Sequence, residues 1–473
     1  MTEETSYDEV AYPSTVFQQT HPERLFAMAW LHGLEPPPVE TARILEIGGG
    51  DGMNVISIAT AYPRTRALSF DLSARAVARG QAVIRDADLT NVRVEVGDIL
   101  EAAETMDGTF DYIVCHGVYA WVPEIVRDAI LKLVGRVLAP GGVAYISYNA
   151  MPGGHLRIAI REMLLRHVGH INDPAERIAT AQAFLDEYGK PQDNDRAVQA
   201  TMREMARGIR SKRGSVLYHD ELGEIFAPQA LADIAAAAAA HGLHYLTDAG
   251  PGILMDGFVE EGGTDDSQVA IVRAAQMRDD DGIRFFRQSL FIRDTQRPVR
   301  QIDNERIKAL YVGVKAQRLE NNVFKSKGTE FELTDPDMIA VIDQLMHAWP
   351  ARVKIGEVSD KPAIIRALFH QWDFGLTELF GAPLPCAGEV PERPQVSPLV
   401  RAQLADGETQ VCSLDQHLRR IDEPGPRAFL EMLDGRHTVP ELEALWAKTE
   451  WAESTPFAAA MGLALKACLV MKD

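Results

Sequence analysis

The chain has 473 residues, is 46% hydrophobic and carries a formal net charge of −20 at pH 7; at this length roughly two to four domains are expected. The acidic balance argues against nucleic acid as a partner of the whole chain, which normally needs a basic face, and no apolar run has membrane-spanning length. The four cysteines, 115, 386, 412 and 468, form no C-x-x-C, and Met1 to Glu9 is acidic without a signal-peptide pattern, which together predict a reducing cytoplasm and no structural zinc.

The N-terminal leader carries Tyr7, Tyr12, Pro13 and Phe17 and is read either as a lid over a site or as an apolar strap. Thr20-His21-Pro22-Glu23 reads as a capping box with proline in the first turn, opening a helix with Leu25, Phe26, Ala29 and Trp30 that ends near Gly33 and Pro36 to Pro38. Ala42 to Ile47 is a buried strand running into Gly48-Gly49-Gly50-Asp51-Gly52, with a helix from Met53 to Ala61 behind it. Glycines at 48, 50 and 52 permit a tight turn close to a ligand. Asp71 ends the next strand, Ala67 to Asp71, where a carboxylate can accept hydrogen bonds from both hydroxyls of a ribose. A glycine turn, a second-strand acid and α/β alternation predict a cofactor containing a nucleoside. The spacing is not G-x-G-x-x-G, because Met53 stands where the third glycine of a dinucleotide site belongs.

Val92 to Val96 alternates as a third strand and leads into Gly97-Asp98-Ile99, and Phe110 to Cys115 is a fourth, apolar enough for burial on both faces. Helical spacing through Val126, Ile130, Leu133, Val134 and Val137 stops at Leu138-Ala139-Pro140-Gly141-Gly142, and Val143 to Tyr148 is a fifth strand. The fold class is therefore α/β, a Rossmann-like, doubly wound parallel sheet with ligands beyond the strand carboxyl ends.

Residues 156 to 245 read as helical throughout, including six consecutive alanines before His241-Gly242, and suit helix packing and self-association as a homodimer better than chemistry. A loop is expected at Glu260 to Asp266, then a helix through Val269, Val272 and Ala275. From about 300 a short strand, Phe331 to Leu333, and a helix after Thr334-Asp335-Pro336-Asp337 suggest a winged-helix-like unit. Gly381 to Pro385, with Pro391, Pro394 and Pro398, reads as a linker, and the tail reads as helix, turn, helix. The resulting domains are 1–160 (cofactor), 161–300 (helical), 301–385 (winged-helix-like) and 386–473 (C-terminal, helical or winged-helix-like).

The pattern E-x-G-x-G-x-G from Glu46 to Gly52, followed by Asp71, Asp98 and the L-x-P-G-G turn at 138–142, resembles the class I S-adenosylmethionine methyltransferases. His116-Gly117-Val118-Tyr119-Ala120-Trp121-Val122-Pro123, Tyr148-Asn149, Tyr218-His219-Asp220-Glu221-Leu222 and Phe285-Phe286-Arg287-Gln288-Ser289-Leu290 further resemble bacterial methyltransferases with a methyltransferase regulatory domain, a group that includes the rickettsial-type protein lysine methyltransferases. The resemblance implies S-adenosylmethionine as cofactor, held by Glu46, Gly48, Gly50, Gly52, Asp71, Leu72, Asp98, Ile99 and His116. It also implies an acceptor site shaped by Tyr12, His116, Tyr119 and Tyr148, and a protein substrate with accessible lysines. Tyr119 is expected at that site and Trp121 in the core, with Asn149 beside Tyr148 facing the acceptor. A small-molecule methyltransferase and a cofactor-sensing interaction protein are the alternatives. No N-P-P-Y or D-P-P-Y tetrapeptide is present, against an adenine or glutamine acceptor. His167-x-x-His170 and His241-x-x-His244 lack a third ligand at metal-site spacing, and His219-Asp220-Glu221 is expected to cap or pack.

Overall fold

The computed structural model describes residues 9, 10, 12–250, 254–259 and 263–472; Tyr7 of the leader and Glu260, Glu261 and Gly262 of the expected loop lie outside the described residues. The expected α/β alternation is present. Strands β1 (Arg43–Ile47), β2 (Arg66–Asp71), β3 (Val92–Val96), β4 (Phe110–Cys115) and β5 (Leu138–Asn149) alternate with helices. These are α1 (Pro22–Leu31), α2 (Met53–Ala61), α3 (Ala74–Asp86), α4 (Ile99–Thr105) and α5 (Glu124–Val137). The strands pair in parallel in the order β3-β2-β1-β4-β5. β5 begins earlier than expected, because Leu138 pairs with Phe110 before an irregularity in the ladder.

The sheet does not finish within residues 1–160. Two more strands, β6 (Leu243–Asp248) and β7 (Phe286–Arg293), extend it to seven, in the order β3-β2-β1-β4-β5-β7-β6, with β7 antiparallel to both neighbours. Helices α6 (Gly153–Val168), α7 (Pro174–Tyr188), α8 (Ala197–Arg210) and α9 (Gly214–Leu222) are thus an insertion between β5 and β6 with their own core of Ile160, Leu164, Leu185, Ala206 and Leu217. The alanine-rich α10 (Leu231–Ala239) packs on β6 and against α11 (Gln268–Gly282). What fastens β7 is a buried ion cluster. The Arg287 guanidinium reaches Asp279 at 2.6 Å, Asp256 at 2.7 Å and Asp248 at 3.4 Å, with all four side chains buried. Arg278 also pairs with Asp256 at 2.8 Å and Arg284 with Asp279 at 2.5 Å, so three guanidinium groups meet three carboxylates.

The expected capping box from Thr20 to Glu23 does not form. His21 caps α1, its Nδ1 accepting from Glu23 N at 3.1 Å, because the Thr20 hydroxyl is engaged with Phe17 O and Asn54. The middle region forms a three-stranded antiparallel sheet, Val353–Lys354, Tyr311–Gly313 and Glu378–Phe380, with helices Pro336–Ala348 and Pro362–Asp373. The expected linker is instead tied down: Gly381 N donates to Glu23 O at 3.2 Å, and Cys386 and Val396 form bridges with Met471 and Val470. The C-terminal elements are helices Pro398–Ala405, Pro424–Met432, Val439–Trp446 and Phe457–Lys466 and a hairpin, Gln410–Cys412 with Leu418–Arg420. Helix Pro398–Ala405 lies against α2 and α3, which brings the end of the chain to the cofactor side of the sheet.

Candidate active site

A cavity of about 610 Å³ opens beyond the carboxyl ends of β1, β2, β3, β4 and β5. That size lies within the range of ligand sites. One end of it is built by the turn after β1. Gly48 N and Gly49 N donate to Phe70 O at 2.9 and 3.3 Å, and Gly50 N donates to Asp71 Oδ2 at 2.8 Å. Asp71 therefore fastens the glycine turn to β2 as well as facing the cavity; its other oxygen accepts from Ser73 N at 2.8 Å, ahead of α3. Gly50 has φ +61° and open space where a side chain would stand, so only its backbone conformation demands glycine. Gly52 differs. It is the left-handed residue that enters α2, a Cβ on it would meet Val94 at 2.5 Å, and it is absent from the cavity wall. Its contribution is to the turn.

Glu46 is buried under this turn. Its Oε1 accepts from Asn54 Nδ2 at 2.8 Å and its Oε2 from Ser69 Oγ at 3.1 Å. Burial outweighs both hydrogen bonds and pushes its carboxyl up to about 7, with Asp51 and Asp71 adding repulsion. A carboxyl whose folded-state pKa is raised stabilises the fold fully below its unfolded value, about 4.5, and loses that contribution as pH rises through 7. Between pH 5 and 8 the ligand-free protein is expected to lose up to about 3 kcal/mol relative to Glu46→Gln, read as the difference in urea midpoints. Parallel pH dependence of the two proteins would refute the burial assignment.

Leu72, Asp98, Ile99 and Leu100 line the next stretch of wall. Asp98 Oδ1 caps α4 by accepting from Leu100 N at 2.7 Å. The resulting lining, the backbone of the glycine turn, four acids (Glu46, Asp51, Asp71 and Asp98) and apolar side chains from two strand ends, fits an adenosine carrying a cationic chain. Among the described residues Arg79 is the single basic side chain of this stretch, short of the cluster a pyrophosphate would require.

The other end of the cavity is aromatic and apolar. Phe17, Val118, Trp121, Val122, Val126 and Phe286 line it, together with Asn149, Arg157, His219 and Asp220. The leader crosses this end: Tyr12, Pro13, Thr15 and Phe17 are in the wall, His219 Nε2 lies 2.6 Å from Val10 O, and the Tyr12 and His219 rings are 5.8 Å apart. The segment covers this end of the cavity while packed on α9 rather than on the sheet.

His116 contributes to the wall. Its Nδ1 is 3.0 Å from the hydroxyls of both Tyr145 and Ser147, and its ring lies 4.1 Å from that of Phe17. Burial pulls it down to about 4, so it is neutral at pH 7 and too weakly basic to take a proton from an ammonium.

Two expected acceptor residues do not reach the cavity. Tyr148 is 1% exposed with its hydroxyl 3.0 Å from Ser289 Oγ, and Tyr119 is 3% exposed in the same core, the two rings 6.2 Å apart. Neither lines the cavity. Successive strand residues face opposite sides of a sheet, so Asn149 meets the cavity and Tyr148 cannot. The 3-10 turn Tyr119–Trp121 likewise turns Tyr119 inward and presents Trp121. Trp121 packs on Phe226, at 4.9 Å between rings, and on the guanidinium groups of Arg157, itself a wall residue, and Arg161 at 5.2 and 5.6 Å. His219-Asp220, expected to cap or pack, are wall residues. The spacing rules offered no sign of this, since an insertion some hundred residues later in the chain folds back over the β4 turn.

Comparison with known proteins agrees with this geometry. Residues 44–142 match the family described as a methyltransferase domain, and residues 392–456 match that described as the PKMT C-terminal winged helix domain. An uncharacterised protein of Rickettsia prowazekii is 40% identical over 225 residues, 47% of this chain and 90% of that protein. A second from the same organism is 33% identical over 305 residues, 64% of this chain and 55% of its own length. Among solved structures, PKMT2 from Rickettsia typhi, also solved in complex with AdoHcy, superposes with a TM-score of 0.80 at 23% identity, covering 98% of this chain and 100% of that one.

Proposed function

Because this chain belongs to the class I S-adenosylmethionine-dependent methyltransferases that carry a PKMT-type C-terminal winged-helix domain, we propose that it methylates the side-chain amine of lysine in a protein substrate. The observation that carries this reading is the continuity of one cavity from the glycine turn and Asp71 to an aromatic, apolar end. Bound S-adenosylmethionine supplies a methyl group on a sulfonium, open to in-line displacement by a nucleophile. In this reading Asp71 holds the ribose hydroxyls, Gly48 and Gly50 bring backbone against the methionine portion, and Leu72, Asp98 and Ile99 hold the adenine.

The chain's own task is then to align an amine and keep it unprotonated. A free lysine has a pKa of about 10.4, and an ammonium loses stability when desolvated. Phe17, Trp121, Val122, Val126 and Phe286 provide that desolvation, and Asn149 offers a polar side chain at the end of β5 without a charge that would retain the proton. The net charge of −20 favours encounter with a basic segment. The same reading gives the protein a cytoplasmic setting, supported by four buried free thiols, and no nucleic-acid partner. It assigns homodimerisation to the helical insertion, whose Val198 is exposed. No helix among the described residues is long and apolar enough to cross a membrane.

Incubation with methyl-labelled S-adenosylmethionine and fractionated lysate of the host is expected to label a protein band, with mass increments of one methylene mapping to lysine. Label confined to small molecules would replace the protein acceptor with a small one. Absence of label despite measured cofactor binding would favour a sensor.

A further inference from the structure

The cofactor end of the cavity is built from residues 46–54, yet one of its supports comes from the far end of the chain. The turn at 413–417 joins the strands of the C-terminal hairpin and carries Gln416 to the start of α2. Gln416 Nε2 donates to Asn54 Oδ1 at 2.6 Å, and Asn54 Nδ2 donates in turn to Glu46 Oε1 at 2.8 Å. The same Asn54 Oδ1 accepts the backbone N–H of Phe17 at 2.9 Å, and Phe17 packs on His116 in the cavity wall. One side-chain amide therefore joins the C-terminal domain, the leader and the acid of the glycine motif.

Gln416 is an unusual choice for a residue that only packs. It is 3% exposed with φ +56°, in the left-handed region, and its Oε1 accepts no hydrogen bond among the described residues. Left-handed backbone at a non-glycine residue and an orphaned buried acceptor each destabilise a fold, and such strain collects where function holds it. The turn is fixed from its other side. Arg419 Nη2 donates to Asp415 Oδ1 at 2.8 Å and Arg419 Nε to Ala467 O at 3.2 Å, while Ser413 Oγ donates to the Asp415 carboxylate. A second contact runs beside it, where Gln403 accepts from Cys412 N at 2.8 Å and lies against Met53.

We propose that Gln416 is a positioning residue for the cofactor: through Asn54 it orients Glu46 and the leader, so the C-terminal domain is part of the methyl-transfer unit and displacement of the 413–417 turn lowers cofactor affinity. The inference rests on the assignment of this cavity to the cofactor, not on the identity of the acceptor.

Calorimetric titration of the full-length protein with S-adenosylhomocysteine tests it. Gln416→Leu, which keeps the bulk and removes the donor, is expected to raise Kd about ten-fold, the effect of one buried hydrogen bond. The double variant Gln416→Leu/Asn54→Ala is expected to bind no more weakly than Asn54→Ala alone, because the two residues act in series. Leu442→Ala, fully buried in a core cluster separate from the one that holds Met53 and Leu414, should soften that domain without moving Kd. Wild-type affinity in Gln416→Leu, additive losses in the double variant, or an equal loss in Leu442→Ala would each overturn the proposal. Should the leucine variant not fold, Gln416→Met, unbranched, of similar length and without a donor, carries the same expectation. Failure of the wild-type protein to bind S-adenosylhomocysteine would overturn the cavity assignment itself, a result distinct from any of these.

Discussion

Replacing Asp71 with alanine is expected to weaken S-adenosylmethionine binding by at least ~100-fold, to leave the melting transition close to that of the wild-type protein, and to remove turnover at ordinary cofactor concentrations. Hydrogen bonds to a charged group contribute about 1.5–3 kcal/mol each, and a carboxylate that holds both ribose hydroxyls makes two of them, so ~100-fold is the conservative end. A second loss adds to the first. Asp71 Oδ2 accepts from Gly50 N and Oδ1 from Ser73 N, both at 2.8 Å, so the alanine variant also frees the glycine turn that has to be ordered on binding. The fold should survive because the side chain is only part-buried at the end of β2 and its partners include two local backbone N–H groups. Asp71→Asn should fall in between, keeping one acceptor for the turn without the charge. Calorimetric titration checks the affinity and circular dichroism the fold. A wild-type Kd in Asp71→Ala would remove this carboxylate from the cofactor site.

The parts of this molecule that were legible in its sequence are those whose signal is local. Each of the five parallel strands is a short apolar run between a helix and a turn, and the glycine turn and Asp71 sit in adjacent βα units, so their relation follows from connectivity alone. β6 and β7 were not recognised as members of the sheet, for two physical reasons. They return to it after an insertion with its own core, and β7 carries Arg287 at a fully buried position where periodicity expects an apolar residue. That arginine is explicable only with Asp248, Asp256 and Asp279 around it. The linker reading of 381–398 failed similarly. Proline-rich composition predicts extended backbone correctly, but what that backbone docks against lies elsewhere in the chain: Glu23, Leu433 and Val470. The same limit applies to Gln416, whose only sequence-level mark is its position in a short polar turn.

The inversion of Tyr119 and Trp121 leads to the second large effect. Trp121→Ala is expected to lower kcat/KM for the methyl acceptor ~100-fold, with cofactor Kd changed by no more than about three-fold, whereas Tyr119→Phe should leave both near wild type. A ~100-fold loss is ~2.7 kcal/mol of transition-state stabilisation, the scale on which truncation of an aromatic anchor weakens a binding site, about 2–4 kcal/mol. The structure also shows how that loss would spread. Trp121 packs against the guanidinium groups of Arg157, itself a wall residue, and of Arg161 at 5.2 and 5.6 Å. Arg157 in turn is paired with Glu221 at 2.6 Å and lies 3.5 Å from Asp220 in the cavity wall. Without the indole, water reaches the amine and stabilises its ammonium form. Trp121→Phe should therefore recover much of the activity, since a phenyl ring restores the apolar wall and a face for the guanidinium groups. Tyr119 has no such reach. Its ring belongs to the core beneath, 6.2 Å from Tyr148, and burial holds its hydroxyl far above the usual phenol range, so it is neutral and its removal alters neither charge nor shape at the cavity. The comparison is decisive in either direction: a large loss in Tyr119→Phe with an active Trp121→Ala would place the acceptor on the other side of this turn, against the core face rather than in the cavity.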